Sequence, residues 1–106
     1  MQAVFEVTLS QRQELIDITA EVNNIIKKSQ VKEGICLVYT PHATAAIIIN
    51  ENYDPNICTD LIHCLNNLAP QGKWLHDQVD GNADAHLKAA ILGPSETLII
   101  ENNTLV

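Results

Sequence analysis

Each of the four prolines in this 106-residue chain falls at a boundary between apolar runs, not inside one. A proline fixes φ and lacks the N–H that a helix interior or a central strand needs. Pro41, Pro55, Pro70 and Pro94 therefore cut the chain into short elements, and the hydrophobic period within each segment says which kind it is.

Residues 4–9 alternate apolar with polar or charged side chains, the pattern of a strand with one buried face. Ser10 with Gln13 makes a capping-box pattern, and Leu15, Ile18, Val22, Ile25 and Ile26 recur at helical spacing up to Lys27 and Lys28, predicting a first helix. Runs 35–39 and 45–49 are rich in β-branched or large apolar residues and are separated by Pro41, so they read as neighbouring strands. Asp54 as cap and Pro55 at the first position open a second helix, with Ile57, Cys58, Leu61, Cys64, Leu65 and Leu68 on one stripe and His63 off it. A third helix is predicted over 83–92, capped by Asn82 and closed by Gly93 and Pro94. A strand follows over 97–100, then a turn at Glu101, Asn102 and Asn103. The fold class is α+β, with helices covering a mixed or antiparallel sheet. The length suits a single domain over residues 1–106.

Composition narrows the partners. The formal net charge is -7, with Lys and Arg totalling 6, which disfavours nucleic acid and anionic membrane surfaces as partners. The longest apolar stretch, 45–49, is far too short for a membrane span, and a cytoplasmic protein is expected. Cys36, Cys58 and Cys64 cannot all pair within one chain and form no C-x-x-C unit, so they are expected as buried thiols.

Three of the four histidines lie in polar islands between the apolar elements: His42 in Thr40-Pro41-His42-Ala43-Thr44, His76 in Trp74-Leu75-His76-Asp77, and His86 at the end of Gly81-Asn82-Ala83-Asp84-Ala85-His86. Each has a hydroxyl, amide or carboxylate nearby that can fix a ring tautomer. If the 45–49 strand begins by Thr44, the even spacing puts Thr44 and Asn50 on one face, with Glu51 opposite. Asp77 is positioned to orient His76. Asn82 and His86 are four apart and share a face at the start of the third helix, where free N–H groups and the dipole favour an anion and Gly81 allows close backbone approach. Taken singly, His42 and His76 are equally well explained as a turn residue and a surface residue. Together the three histidines fit a zinc-type site with an open position, and they fit an anion pocket equally well. No H-x-x-x-H signature is present to choose between them.

The same residues resemble the YjbQ-like family, also called UPF0047, associated with secondary thiamine phosphate synthase activity. The resemblance runs through Thr40, Pro41, His42, Thr44 and Ala45, Asn50-Glu51, Asp54-Pro55, His76, the segment Asp80-Gly81-Asn82-Ala83-Asp84-Ala85-His86, and Leu92-Gly93-Pro94-Ser95. It implies an α+β fold, a homotrimer, and His42, His76 and His86 as residues holding a divalent metal, zinc being the first candidate, or a ligand. Asn50, Glu51 and Asn82 are implied to lie close by. The implied reaction joins a hydroxymethylpyrimidine diphosphate to a thiazole phosphate. In that scheme Glu51 and His86 are the catalytic residues, and Thr44, Asn50, Gly81 and Asn82 bind the small phosphorylated metabolite. A metal-dependent hydrolase and a non-catalytic trimeric binding protein for a metal or phosphometabolite remain as alternatives. Family members ordinarily continue past the Asn102-Asn103 turn with further strands. This chain stops at Leu105-Val106, so a sheet without those closing strands is expected.

Overall fold

A computed structural model describes residues 1–106. Three α-helices and three strands follow one another as α1 (Thr19–Ser29), β1 (Gly34–Tyr39), α2 (Asn56–Leu68), α3 (Ala83–Leu92), β2 (Ser95–Glu101) and β3 (Thr104–Leu105), with a single 3₁₀ turn at Leu75–Gln78. The strands form one sheet in the order β1-β2-β3. β1 and β2 run antiparallel. At one end Thr40 N–H donates to Pro94 C=O (2.9 Å), and at the other Asn103 N–H donates to Lys32 C=O (3.0 Å). β2 and β3 are antiparallel too, with Ile100 opposite Leu105 and Glu101 opposite Thr104. The α+β expectation holds, and the sheet is antiparallel, not mixed.

The contacts divide the chain into two compact units, Met1–Leu37 with Thr97–Val106, and Val38–Glu96. In the first, α1 packs on β3, and Val22, Ile26 and Ile100 are its buried core residues. Burying such side chains stabilises by about 1.5–3 kcal/mol each. Asn102 and Asn103 join β2 to β3 with φ of 51° and 62°. Positive φ at both central residues is what a two-residue hairpin in a right-twisted sheet needs, and asparagine tolerates it better than any residue but glycine. The Asn103 amide then donates to the Ile26 (3.0 Å) and Val31 (2.6 Å) carbonyls, and Asn23 Oδ1 accepts from the Leu105 N–H (2.9 Å). The hairpin is thereby pinned to α1 and to the residues just after it.

Three local expectations are corrected. Residues 4–9 form no strand; Val4, Val7 and Leu9 are exposed and no neighbouring strand pairs with them. Alternation marks a buried face only where the fold supplies something to bury it. The first helix starts at Thr19, not beside Ser10. Ser10 N–H bonds Glu14 instead (2.8 Å), and Asp17 Oδ1 accepts from both the N–H (2.9 Å) and hydroxyl (2.6 Å) of Thr19, a local turn that starts the helix afresh. Residues 45–49 are not a strand and not the neighbour of β1. A turn bond from Ala45 N–H to His42 C=O and one bond from Ile47 N–H to Gly93 C=O hold them, too few for a ladder.

In the second unit, α2 begins as its sequence foretells, with Asn56 N–H donating to Asp54 Oδ1 (2.9 Å), but Pro55 stands at the cap and not inside the first turn. Its apolar stripe is only half covered. Cys64 and Leu68 are exposed, and Cys36 and Cys58 are half-buried, so none of the three thiols is a fully buried core residue. α3 runs over the predicted residues and ends at Gly93, whose φ of 91° suits glycine. The most buried side chain here is charged. Asp84, 0% exposed, accepts from Lys88 Nζ at 3.0 Å, and Lys88 Nζ also reaches Asn66 Oδ1 on α2 at 2.7 Å. No helix is long and apolar enough to cross a membrane.

Candidate functional site

Trp74 leads the chain into the 3₁₀ turn. Its indole N–H donates to the Pro70 carbonyl (2.7 Å), which fixes the ring, and its backbone N–H donates to Asp77 Oδ2 (3.0 Å). The other Asp77 oxygen accepts from Ala83 N–H, the first residue of α3, at 3.0 Å. One carboxylate thus holds the start of the turn and the start of the helix. Asn82, expected to cap α3 with its side chain, does not do so, and its Oδ1 is buried without a hydrogen-bond partner. Gly81 before it has φ of 68°, the backbone freedom that lets the chain turn into the helix.

Within the turn, Val79 and Asp80 both donate their N–H groups to His76 C=O. That winding brings the Asp80 side chain back to His76, with Oδ2 at 3.3 Å from Nε2. His86, one turn into α3, places its ring edge-on to His76, with centroids 4.9 Å apart and planes at 87°. His76, Asp80 and His86 present three ligand-type atoms within 4.8 Å of one another. The His76 and Asp80 side chains are 43% and 49% exposed, so ligand and solvent can reach the group.

Two imidazoles and a carboxylate form a donor set suited to zinc and similar divalent ions. Ligand atoms bonded to one tetrahedral ion at about 2.1 Å lie about 3.4 Å from each other, close to the 3.3 Å between His76 and Asp80. The residues fit a metal of this class on the chemistry of the donors.

The other expected site residues stand outside this group. His42 lies in the turn after β1, exposed, its N–H 3.5 Å from Thr40 Oγ1 and its carbonyl accepting from Ala45. Thr44 is exposed nearby. Asn50 Oδ1 accepts from Glu51 N–H (2.8 Å), and Glu51 Oε2 accepts from the N–H groups of Tyr53 (2.7 Å) and Asp54 (3.3 Å), so this carboxylate organises the approach to α2. Asp77 was expected to orient the His76 ring. It binds two backbone N–H groups instead, and Asp80 is the carboxylate at the ring. The sequence signal for Asp80 was its four-residue spacing from His76, which closes one turn only if 76–80 is helical.

The motifs that surround this site extend over the chain as a whole. A family model described as UPF0047 protein YjbQ-like matches residues 3–106. The chain belongs to this family. Among its UPF0047 relatives, a protein of Methanocaldococcus jannaschii is 42% identical over 98 residues, spanning 92% of this chain and 70% of the relative. The UPF0047 protein YugU of Bacillus subtilis is 35% identical over 106 residues, spanning all of this chain and 80% of its own. The fold is shared with a crystallised YbjQ-like protein of unknown function from Sulfolobus solfataricus, at a TM-score of 0.88 and 37% identity over 94% of this chain and 72% of that one. A YjbQ/UPF0047 protein from Clostridium acetobutylicum superposes with the same TM-score of 0.88 at 40% identity, covering 93% of this chain and 76% of that one.

Proposed function

We propose that this UPF0047 protein holds a divalent metal ion, zinc being the first candidate, through His76, Asp80 and His86, and acts there on a small phosphorylated metabolite as a thiamine phosphate synthase-like transferase. The supporting observation is the convergence of two imidazoles and a carboxylate from the 3₁₀ turn and α3 within 4.8 Å. A bound divalent ion supplies Lewis-acid stabilisation to phosphate oxygens. The chain's own residues do the rest. His76, Asp80 and His86 hold the ion, and because the Asp77 carboxylate already takes the first N–H of α3, the phosphate is proposed to be drawn by the ion and not by the helix end.

In the transfer, the bond between the pyrimidine methylene carbon and the diphosphate oxygen breaks, and the leaving diphosphate takes the electron pair. The thiazole nitrogen lone pair forms the new carbon–nitrogen bond. No proton moves in that exchange, so Glu51, whose carboxylate already accepts two backbone N–H groups, is not required at the reacting atoms. Its proposed part is to fix the segment that carries Asn50. The proposed assembly is a homotrimer, for which Ile35, Leu37, Tyr39 and Ile99, all more than half exposed along β1 and β2, offer apolar surface.

The test is elemental mass spectrometry on tag-free protein together with an assay for thiamine phosphate from the two substrates. Near-stoichiometric metal that is lost in His76→Ala, Asp80→Ala and His86→Ala is expected, with turnover falling about 10²–10³-fold when one such group is removed. His42→Ala shows whether a third imidazole joins the set. A parent protein that contains and takes up no metal sinks the proposal. Tight binding of metal and phosphorylated ligand without turnover would leave a binding protein in place of a transferase.

A further inference from the structure

We propose that Asp77 is the positioning residue of this site: by accepting from Trp74 N–H and Ala83 N–H at once, it sets the 3₁₀ turn that carries His76 against the helix that carries His86. This rests on the proposed role of the two histidines as partners in one site. Each carboxylate oxygen takes one of the bonds, both at 3.0 Å. Both are charge-assisted, the stronger class of protein hydrogen bond.

The other links between the turn and α3 do not replace this one. The His76–His86 contact is a single edge-on ring pair, and the His76–Asp80 pair lies within the turn and its continuation, with both side chains more than 40% exposed. Exposed pairs of that kind contribute little. The Ala83 N–H is one of the donors at a helix start that have no partner inside the helix. The usual solution is a side chain at the cap itself, and Asn82 is the residue type for it. Here Asn82 makes no capping bond, and the acceptor comes from six residues earlier. An Asn82 cap would steady α3 alone. An Asp77 cap steadies α3 relative to the residue next to His76, so helix capping and the distance between the two imidazoles become one structural feature.

Asp77→Asn and Asp77→Ala separate this role from general stability. The asparagine keeps one carbonyl oxygen, able to serve one of the two N–H groups, and presents an NH2 to the other. Far-UV circular dichroism establishes that each variant is folded. The first readout, on metal-free protein labelled at histidine, is the nuclear Overhauser effect between the His76 and His86 ring protons. The second is Co²⁺ affinity from its visible absorption. The expected result is a weakened ring-to-ring signal in Asp77→Asn, a lost signal in Asp77→Ala, and Co²⁺ binding between about tenfold and a hundredfold weaker, the range found when a residue supporting metal ligands is removed. If Asp77→Ala does not fold, Asp77→Asn decides the matter by the same two readouts. An unchanged ring signal in the folded variants overturns the positioning role. A ring signal that is lost in the variants of a parent that binds no Co²⁺ upholds the positioning role and overturns the metal site, so the two proposals fail separately.

Discussion

Cys36 and Cys64 differ in what surrounds the sulfur. Cys64 is exposed on α2, whereas burial pushes the Cys36 thiol up from its ordinary value of 9.0. Only the thiolate is a good nucleophile. Iodoacetamide at neutral pH is therefore expected to modify Cys64 well before Cys36, as peptide mapping of a time course will show; equal rates would mean that Cys36 is not shielded. The sign for stability follows from proton count. Above about pH 9 the unfolded chain gives up a proton that the folded chain keeps, so this group's contribution is intact at lower pH and declines as pH rises. A Cys36→Ala variant should show a shallower loss of stability between pH 8 and 10 in denaturant titrations. At this scale the sequence was readable where the property is intrinsic: Asn102 and Asn103 accept positive φ, and Gly81 and Gly93 sit where the backbone demands it. It was unreadable where a residue's partner comes from elsewhere. Asn82 has the chemistry of a cap, yet Asp77 does the capping, because which acceptor reaches Ala83 N–H depends on how residues 74–82 wind.

The tie between α2 and α3 is a charged one, Lys88 held by Asp84 from its own helix and by Asn66 across the gap. A buried ion pair is costly to break by halves, since the remaining partner stays desolvated. Asp84→Ala and Lys88→Met are each expected to destabilise by about 3–5 kcal/mol. The double variant should lose clearly less than the sum, read from urea midpoints in a double-mutant cycle. Strict additivity would show that the pair is not a unit. None of this was visible in the helical pattern, where Asp84 and Lys88 look like ordinary polar positions on a capped helix. The strand expected over 35–39 is β1, and the other legible elements, α2, α3 and β2, each carry a terminal signal as well: Asp54-Pro55, Gly93-Pro94, Asn102-Asn103. Residues 4–9 have the alternation of a strand and 45–49 the apolar character of one, but a strand exists only when a neighbour supplies the ladder.

For the molecule as a whole, a net charge of -7 coexists with a row of uncovered apolar side chains: Ile35, Leu37 and Tyr39 are 69%, 64% and 60% exposed on alternate positions of β1. This row is the surface that the proposed homotrimer would cover. In multi-angle light scattering the proposed homotrimer should run at three times the 11.7 kDa chain mass, and Leu37→Asp should shift it toward the single-chain mass. A parent protein that is monomeric at micromolar concentration would remove the trimer from consideration. The family was legible in the ordered string of short motifs, whereas the place of His42 was not, because the turn after β1 and the turn before α3 are far apart in sequence and their spacing carries no distance. Trp74 has a further consequence. It is the chain's one tryptophan, its indole is hydrogen-bonded to Pro70, and it stands two residues from His76. The protein therefore carries its own optical gauge: ultraviolet emission from an unlabelled sample reports on this one loop, and a change in that emission on adding an ion or metabolite is the expected sign of binding at the proposed site.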